Sequence, residues 1–399
     1  MKILLITDSP YLFTGLSRIN RQLIRGFEEN GHEVILGAWG WDQSAYPINE
    51  KSQWIYKDLL TSKEYISFPL SKDPKKLLIQ TYEILKEIKC DILFTMGDYW
   101  NFEGFEHLKS KLDYGYKWVA YYTIESKPIN EEYRPAFEFI DLIISPSLFG
   151  KKIVEESIKN VCEYVPFGME HESFYRLSDE KIALEREKRN LKDKFRIINV
   201  CKNQSRKNIP AFMEALKIAH SIDNRIVGYL HTDVNKRVTS QISISNMMKR
   251  LELEGILELP KNKISIDIGC TDYDLNIEYN CSNALVLTSV AEGFGFPILE
   301  AQKCGIPAIG TDCSSVRELC YEKNYLVKNI SYYAPMEQQV NIISVEDLVN
   351  KMILCKNSSK QILENINFTK EFTWEKMNKQ IAYLISNINF RIKLPVDVM

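Results

Sequence analysis

Short, wholly apolar runs recur along this chain, each followed by a longer stretch with helical periodicity. Ile3–Thr7, Val34–Ala38, Ile92–Thr95, Trp118–Tyr122 and Leu142–Ser145 read as strands. Between the first two, Ser17–Asn30 reads as a helix with Ile19, Leu23, Ile24 and Phe27 on one face, closed by Gly31. A strand that is apolar on both faces must be covered on both, which means a parallel sheet between two layers of helices. The rhythm starts again after the highly charged stretch Asp179–Lys194, with Ile197–Val200, Val227–His231, Ile264–Ile268, Ala284–Thr288 and Ala308–Gly310. A chain of 399 residues is also longer than one compact domain usually is. The expected class is therefore α/β, with two Rossmann-like, doubly wound parallel-sheet domains. Such sheets bind ligands at the carboxyl ends of their strands, so two domains facing across a cleft would put the chemistry between them. The segment from Trp39 to about Pro69 follows neither period and is left unassigned.

Several function classes drop out early. The formal net charge of −2 argues against broad nucleic-acid binding. No apolar run approaches the roughly twenty residues of a membrane span. The start, MKILLITDSP, is too short for a signal peptide's apolar core and reads as the first strand. The nine cysteines are odd in number, scattered and without a CxxC pair, as expected of free thiols in a reducing, cytoplasmic setting. Dinucleotide oxidoreductases share the architecture, but the loop Asp8–Ser17 holds the single glycine Gly15 and lacks GxGxxG spacing. Trp39 and Gly40, rather than an acid, follow the second strand.

The most informative stretch is Ala284–Cys320. A strand opens into a loop carrying Glu292, Gly293, Phe294, Gly295 and Phe296; Pro297 suits the first turn of a helix that continues through Ile298, Leu299 and Ala301. Backbone N–H groups at such a helix start carry about half a positive charge and suit a diphosphate. Glu292 and Glu300 would repel a phosphate, so their natural partners are sugar and ribose hydroxyls, which donate to carboxylates.

The string from Glu292 through Gly-Phe-Gly-Phe-Pro-Ile-Leu to Glu300 resembles the E-x7-E signature of glycosyltransferase family 4, whose retaining enzymes have the GT-B fold. The resemblance implies that Glu292 contacts the transferred hexose and that Glu300 holds the nucleotide ribose. It also implies that N–H groups from Gly293 to Ile298 bind hexose hydroxyls and diphosphate oxygens. Asn199–Pro210 resembles the family's V-G-R-x-x-x-R-K element, which neutralises the leaving diphosphate. Lys207 matches its Lys, Lys202 stands in place of an Arg and Cys201 in place of a Gly, with Arg206 as the cation that compensates. Val165–Phe174 resembles an interdomain turn, with Gly168 as hinge and Glu170 in place of the usual Asp. His231-Thr232-Asp233 resembles a strand-end stretch of some relatives, and Phe372-Thr373-Trp374-Glu375 a late F-x-W element in which the Trp packs.

By the same resemblance, Gly15 belongs to a short glycine loop beside the donor phosphates, and Glu125 lies near the reacting centre. Asp98 and Trp100 are candidates on the acceptor side. Residues 1–170 are then the N-terminal domain and 171–374 the donor domain, with a C-terminal helix over about 375–399 packing back on the first. The expected activity is metal-independent transfer of a hexose, with retention, from a nucleoside-diphosphate sugar to an acceptor hydroxyl. A nucleotide-sugar epimerase or an inactive binding module of the same fold is the alternative.

Neither cofactor nor metal is expected. Asp272-Tyr273-Asp274 is spelled like a metal-binding acidic pair, but it opens the helix read over Leu275–Asn280, where aspartates cap and complement the dipole. The donor is the expected small-molecule partner; a glycan, lipid, protein or small molecule all fit as acceptor. Arg18, Arg21 and Arg25 share one face of the first helix, a basic stripe that would suit peripheral contact with an anionic membrane.

Overall fold

A computed structural model describes residues 1–40, 54–234, 242–261, 269–334 and 338–388. It divides into two compact units: Met1–Gly168 with the segment from Trp374 onward, and Met169–Thr373. The divisions fall after Gly168 and before Trp374.

In the first unit, β1 (Lys2–Asp8), β2 (Glu33–Trp39), β3 (Ile55–Lys57), β4 (Glu64–Leu70), β5 (Ile92–Gly97), β6 (Lys117–Tyr122), β7 (Leu142–Ser145) and β8 (Cys162–Tyr164) form one sheet of order β3-β4-β2-β1-β5-β6-β7-β8. Every pair is parallel except β3–β4 at the edge. The central strands are buried along nearly their whole length, as runs that are apolar on both faces require. Edge strand β3 and its neighbour β4 lie in the stretch the sequence left unassigned; residues 41–53 of that stretch lie outside the described residues.

The helix Gly15–Glu29 begins two residues earlier than expected. The reason is Thr14, whose hydroxyl accepts the Ser17 N–H and so caps the turn. Its buried face includes Ile19, Leu23, Ile24 and Phe27. The arginine stripe is not a free basic face: Arg21 donates to Pro10 O at 2.6 Å, and Arg25 forms a two-nitrogen contact with buried Asp58 at 3.0 and 3.2 Å. At least these two arginines hold the first unit together. The late helix Trp374–Ser386 belongs to this unit, where Asn378 donates to Gln22 O at 3.2 Å.

In the second unit, β9 (Phe195–Val200), β10 (Ile226–His231), β11 (Leu257–Glu258), β12 (Ala284–Leu287), β13 (Ala308–Thr311) and β14 (Leu326–Val327) form a parallel sheet of order β11-β10-β9-β12-β13-β14. The strand expected over Ile264–Ile268 lies outside the described residues. An antiparallel hairpin, β15 (Asn329–Tyr333) with β16 (Gln339–Ile343), follows the last parallel strand. The charged stretch Asp179–Lys194 is not a bare linker, because Asp179–Lys188 is a helix capped by Ser178. Asp272 and Asp274 sit in the first turn of the helix Asp272–Asn280; the cap is Thr271, whose hydroxyl accepts the Asp274 N–H.

Within each sheet the direction of winding reverses once, between β1 and β5 in the first unit and between β9 and β12 in the second. At such a switch point the two flanking loops part, and a crevice opens at the carboxyl ends of the strands.

Candidate functional site

Just past the carboxyl ends of β9 and β12 the second unit carries a compact charged cluster. After β9 the chain makes a tight turn at Ser205–Lys207, and left-handed Asn208 (φ 48°) leads into the helix Ile209–Ile222. The Thr288 hydroxyl holds this turn against β12, lying 2.9 Å from Lys207 O and 3.0 Å from Asn208 O. The turn is joined to the next loop by Val290 N–H donating to Arg206 O at 2.8 Å.

Glu292 is 5% exposed. Lys207 Nζ donates to its Oε1, Ser289 Oγ donates to the same oxygen at 2.6 Å, and Arg206 Nη1 lies 3.3 Å from Oε2. Burial alone pushes this carboxyl up. The charges of Lys207 and Arg206 and the two hydrogen bonds outweigh that and hold it at about 2. Glu292 is thus an ionised, nearly dry carboxylate with both oxygens engaged.

The loop then turns through Gly295, whose φ of 118° favours glycine, into the helix Phe296–Lys303. A Cβ there would also meet Ile298 Cδ1 at 3.3 Å. Pro297 stands in the first turn as expected. Phe294 is buried, its ring 5.2 Å from that of Phe296 and 6.3 Å from that of Phe372. Ile298 is fully buried. Gly293 is buried as well and has ordinary backbone.

Glu300, one turn into that helix, is 3% exposed and accepts from Tyr279 Oη at 2.7 Å. A helix glutamate this buried is not a solvated surface charge. In the role the sequence gives it, Glu300→Ala should weaken binding of free nucleoside diphosphate as well as of a sugar donor, by about tenfold for one lost charge-assisted hydrogen bond. Calorimetric titration checks this, and unchanged nucleotide affinity rejects the role.

The structure separates the two lysines. Lys207 is brought onto Glu292, whereas Lys202, just beyond β9, is exposed. The second cation on Glu292 is Arg206. Cys201 is half-buried, and burial pushes its thiol up to about 12, so it is not a thiolate. His231, at the end of β10, is pushed down to about 4 by burial and is neutral at pH 7. Beside it the Asn203 side-chain amide donates to Asp233 O at 3.3 Å and Ile242 O at 3.0 Å.

The first unit's candidates follow the carboxyl ends of β1, β5 and β6. Gly15 is the exposed first residue of its helix, not part of a free loop. The loop before it is organised by Asp8, to which the sequence analysis gave no role. Its carboxylate accepts from Trp39 Nε1 at 2.6 Å and Thr14 Oγ1 at 2.8 Å, and lies 3.4 Å from Lys72 Nζ. Asp98 follows β5 and accepts from Thr123 Oγ1 at 2.8 Å, which ties the ends of β5 and β6 together. Trp100 is partly buried and packs on the first unit's core, its ring 5.1 Å from Tyr99. Glu125 is half-buried three residues past the end of β6.

Residues missed by sequence reasoning are Ser289, Tyr279, Ser314 and Ser315. Each is an ordinary residue type given meaning by a tertiary contact. Ser289 alone left a trace, standing three residues before Glu292.

Comparison with known proteins agrees with this fold. Residues 181–367, which hold every part of the charged cluster, match the family model described as glycosyl transferases group 1. The chain is 26% identical over 388 residues to an uncharacterized glycosyltransferase of Methanocaldococcus jannaschii, covering 83% of this chain and 90% of that one. The fold is shared with sucrose-phosphate synthase from Thermosynechococcus elongatus at a TM-score of 0.74, with 16% identity over 98% of this chain and 99% of that one. It is shared as well with the Anabaena protein HepE, solved in complex with UDP and glucose, at a TM-score of 0.70, with 16% identity over 97% and 100%. With a glycosyl transferases group 1 match over its second unit and two doubly wound sheets, the chain is a glycosyltransferase of the GT-B fold.

Proposed function

We propose that this enzyme moves a hexose from a nucleoside-diphosphate sugar to an acceptor hydroxyl with retention of configuration and without a metal, in the manner of glycosyltransferase family 4. The observation that carries the reading is the pairing of Lys207 and Arg206 on buried Glu292, beside the glycine turn that starts the helix Phe296–Lys303. Breaking a glycosidic bond to a diphosphate leaves charge on the departing phosphate. Lys207, Arg206 and the N–H groups of Gly293 and Gly295 supply the compensating positive potential, and being held in place beforehand they need no reorganisation. Pro297 has no N–H, and that of Ile298, against the expectation from the resemblance, is spent on Gly295 O at 3.0 Å. Glu292 accepts from a hexose hydroxyl, and Glu300 accepts from the ribose.

By the same family resemblance we assign Gly15 and Glu125 to the donor side of the reaction, and Asp98 and Trp100 to the acceptor side. The acceptor proton passes to the leaving phosphate oxygen, so no side chain is assigned as base.

The test is release of nucleoside diphosphate from a panel of UDP-, GDP- and ADP-hexoses in the presence and absence of candidate acceptors. NMR would read the anomeric configuration of the product. Turnover should persist in excess EDTA. Full loss on chelation with rescue by magnesium or manganese refutes the metal-independent mechanism. Isomerised sugar instead of transferred sugar makes the enzyme an epimerase.

A further inference from the structure

Serine at the first position before a helix usually turns its oxygen toward the helix N–H groups. Ser315 does not. It precedes the turn Val316–Leu319, makes no side-chain capping bond and is fully buried. Its hydroxyl instead reaches back to the Glu292 loop, 2.9 Å from Glu292 O and 2.5 Å from Phe294 O, as a forked donor. The neighbouring Ser314 accepts the Glu292 N–H at 3.1 Å. Ser314 holds a φ of 40°, a left-handed conformation that is costly for a residue with a side chain. The turn thus sustains strain at the point where both hydroxyls meet the loop.

The peptide bonds after Glu292 and Phe294 are trans. In a trans peptide the N–H points opposite to the C=O. Turning the Glu292 and Phe294 carbonyls toward Ser315 therefore turns the N–H groups of Gly293 and Gly295 away from it. Both glycines are buried, and among the described residues neither N–H has a protein acceptor. A buried N–H without an acceptor is costly, and a bound anion removes that cost.

Resting on the donor reading above, we propose that Ser315 is a positioning residue. By holding two carbonyls on its own side of the loop, it aims the Gly293 and Gly295 N–H groups at the diphosphate of the donor. Ser315 touches no substrate; its effect is confined to phosphate recognition, while Glu300 holds the ribose independently.

The distinguishing measurement is the preference for nucleoside diphosphate over the matching monophosphate, taken by calorimetry with UDP, GDP and ADP against UMP, GMP and AMP. Wild type should prefer the diphosphate of its own base. In Ser315→Ala the diphosphate affinity should fall about tenfold or more, the scale of misaimed charge-assisted hydrogen bonds, with monophosphate affinity changed little. Ser315→Cys keeps a side chain of similar shape with a weak donor and should fall in the same direction, which covers the case in which the alanine variant does not fold. General destabilisation would weaken both nucleotides together and leave the preference unmoved. A folded variant of either kind that retains the wild-type preference overturns the role of Ser315. Wild type that binds none of the diphosphates overturns the donor reading itself.

Discussion

Lys207→Ala is expected to lower turnover about a hundredfold to a thousandfold and to weaken nucleoside diphosphate binding as well. Its ammonium is held by Glu292 in a site where the lysine side chain is 13% exposed and the glutamate side chain 6%. An electrostatic contact this dry is worth far more than the same contact in water. In the proposed reaction its value grows as the leaving phosphate gains charge, so it acts on the rate beyond its effect on ground-state affinity.

The substitution has a second effect at the same place. Glu292 keeps Ser289 and Arg206, but the arginine side chain is 37% exposed and so is the better-solvated, weaker counter-charge. The carboxylate then faces the incoming diphosphate with less compensation, which adds repulsion to the lost attraction. Removing one partner of a buried pair also costs about 3–5 kcal/mol of stability, so a melting curve must accompany the kinetics. Lys207→Arg retains a charge and should recover nucleotide affinity more fully than turnover, because the guanidinium is larger and differently directed. Steady-state rates with a competent donor–acceptor pair, together with a nucleotide titration, decide the matter. Turnover in Lys207→Ala within a few-fold of wild type would remove Lys207 from the leaving-group role.

The central strands were readable because they are apolar on both faces, a pattern that forces them inside a parallel sheet whatever the rest of the chain does. Leu142–Ser145 appears over the very residues expected, and β1, β2, β6 and β10 differ only at their ends. The edge was not readable. β3 has three residues, and β4 alternates in burial and ends in Phe-Pro-Leu, so neither carries the doubly apolar signature. The hairpin β15–β16 escaped for a related reason: Ile330 and Tyr333 are 76% and 67% exposed, so its pattern reports no core.

At the site, Glu292 and Glu300 stood out because two carboxylates flank a glycine-containing loop that opens a helix, and Lys207 because Asn199–Pro210 resembles the cationic element of glycosyltransferase family 4. The choice between Lys202 and Arg206 was not available from spacing, since the tight turn at Ser205–Lys207 decides which cation reaches Glu292. The serines were invisible for a plainer reason. A hydroxyl is equally at home in solvent, on a cap or on a loop carbonyl, and only the packed chain selects among them.

Glu292→Gln should abolish most transfer, by at least about a hundredfold, and yet leave nucleoside diphosphate affinity undiminished. The two halves follow from one geometry. Glu292 is the counter-ion of Lys207 and Arg206, so neutralising it frees both cations for phosphate. The hexose hydroxyl, by contrast, loses an ionised acceptor for which an amide is a poor replacement.

Acid titration provides an independent check on the ion pair. The carboxyl sits at about 2 in the folded chain, below its ordinary value of 4.5. A depressed carboxyl contributes stability that is fully present above its unfolded value and lost as pH falls toward the folded one. The difference in melting temperature between wild type and Glu292→Gln should therefore be largest above pH 5 and shrink as pH drops from about 4.5 toward 2. Set beside Lys207→Ala in a titration with sugar-free nucleotide, the two variants should move apart, the lysine change weakening binding and the glutamine change not. Equal weakening in both would mean that Glu292 serves the nucleotide and not the sugar. Transfer that survives in Glu292→Gln would mean that the carboxylate only holds Lys207 in place.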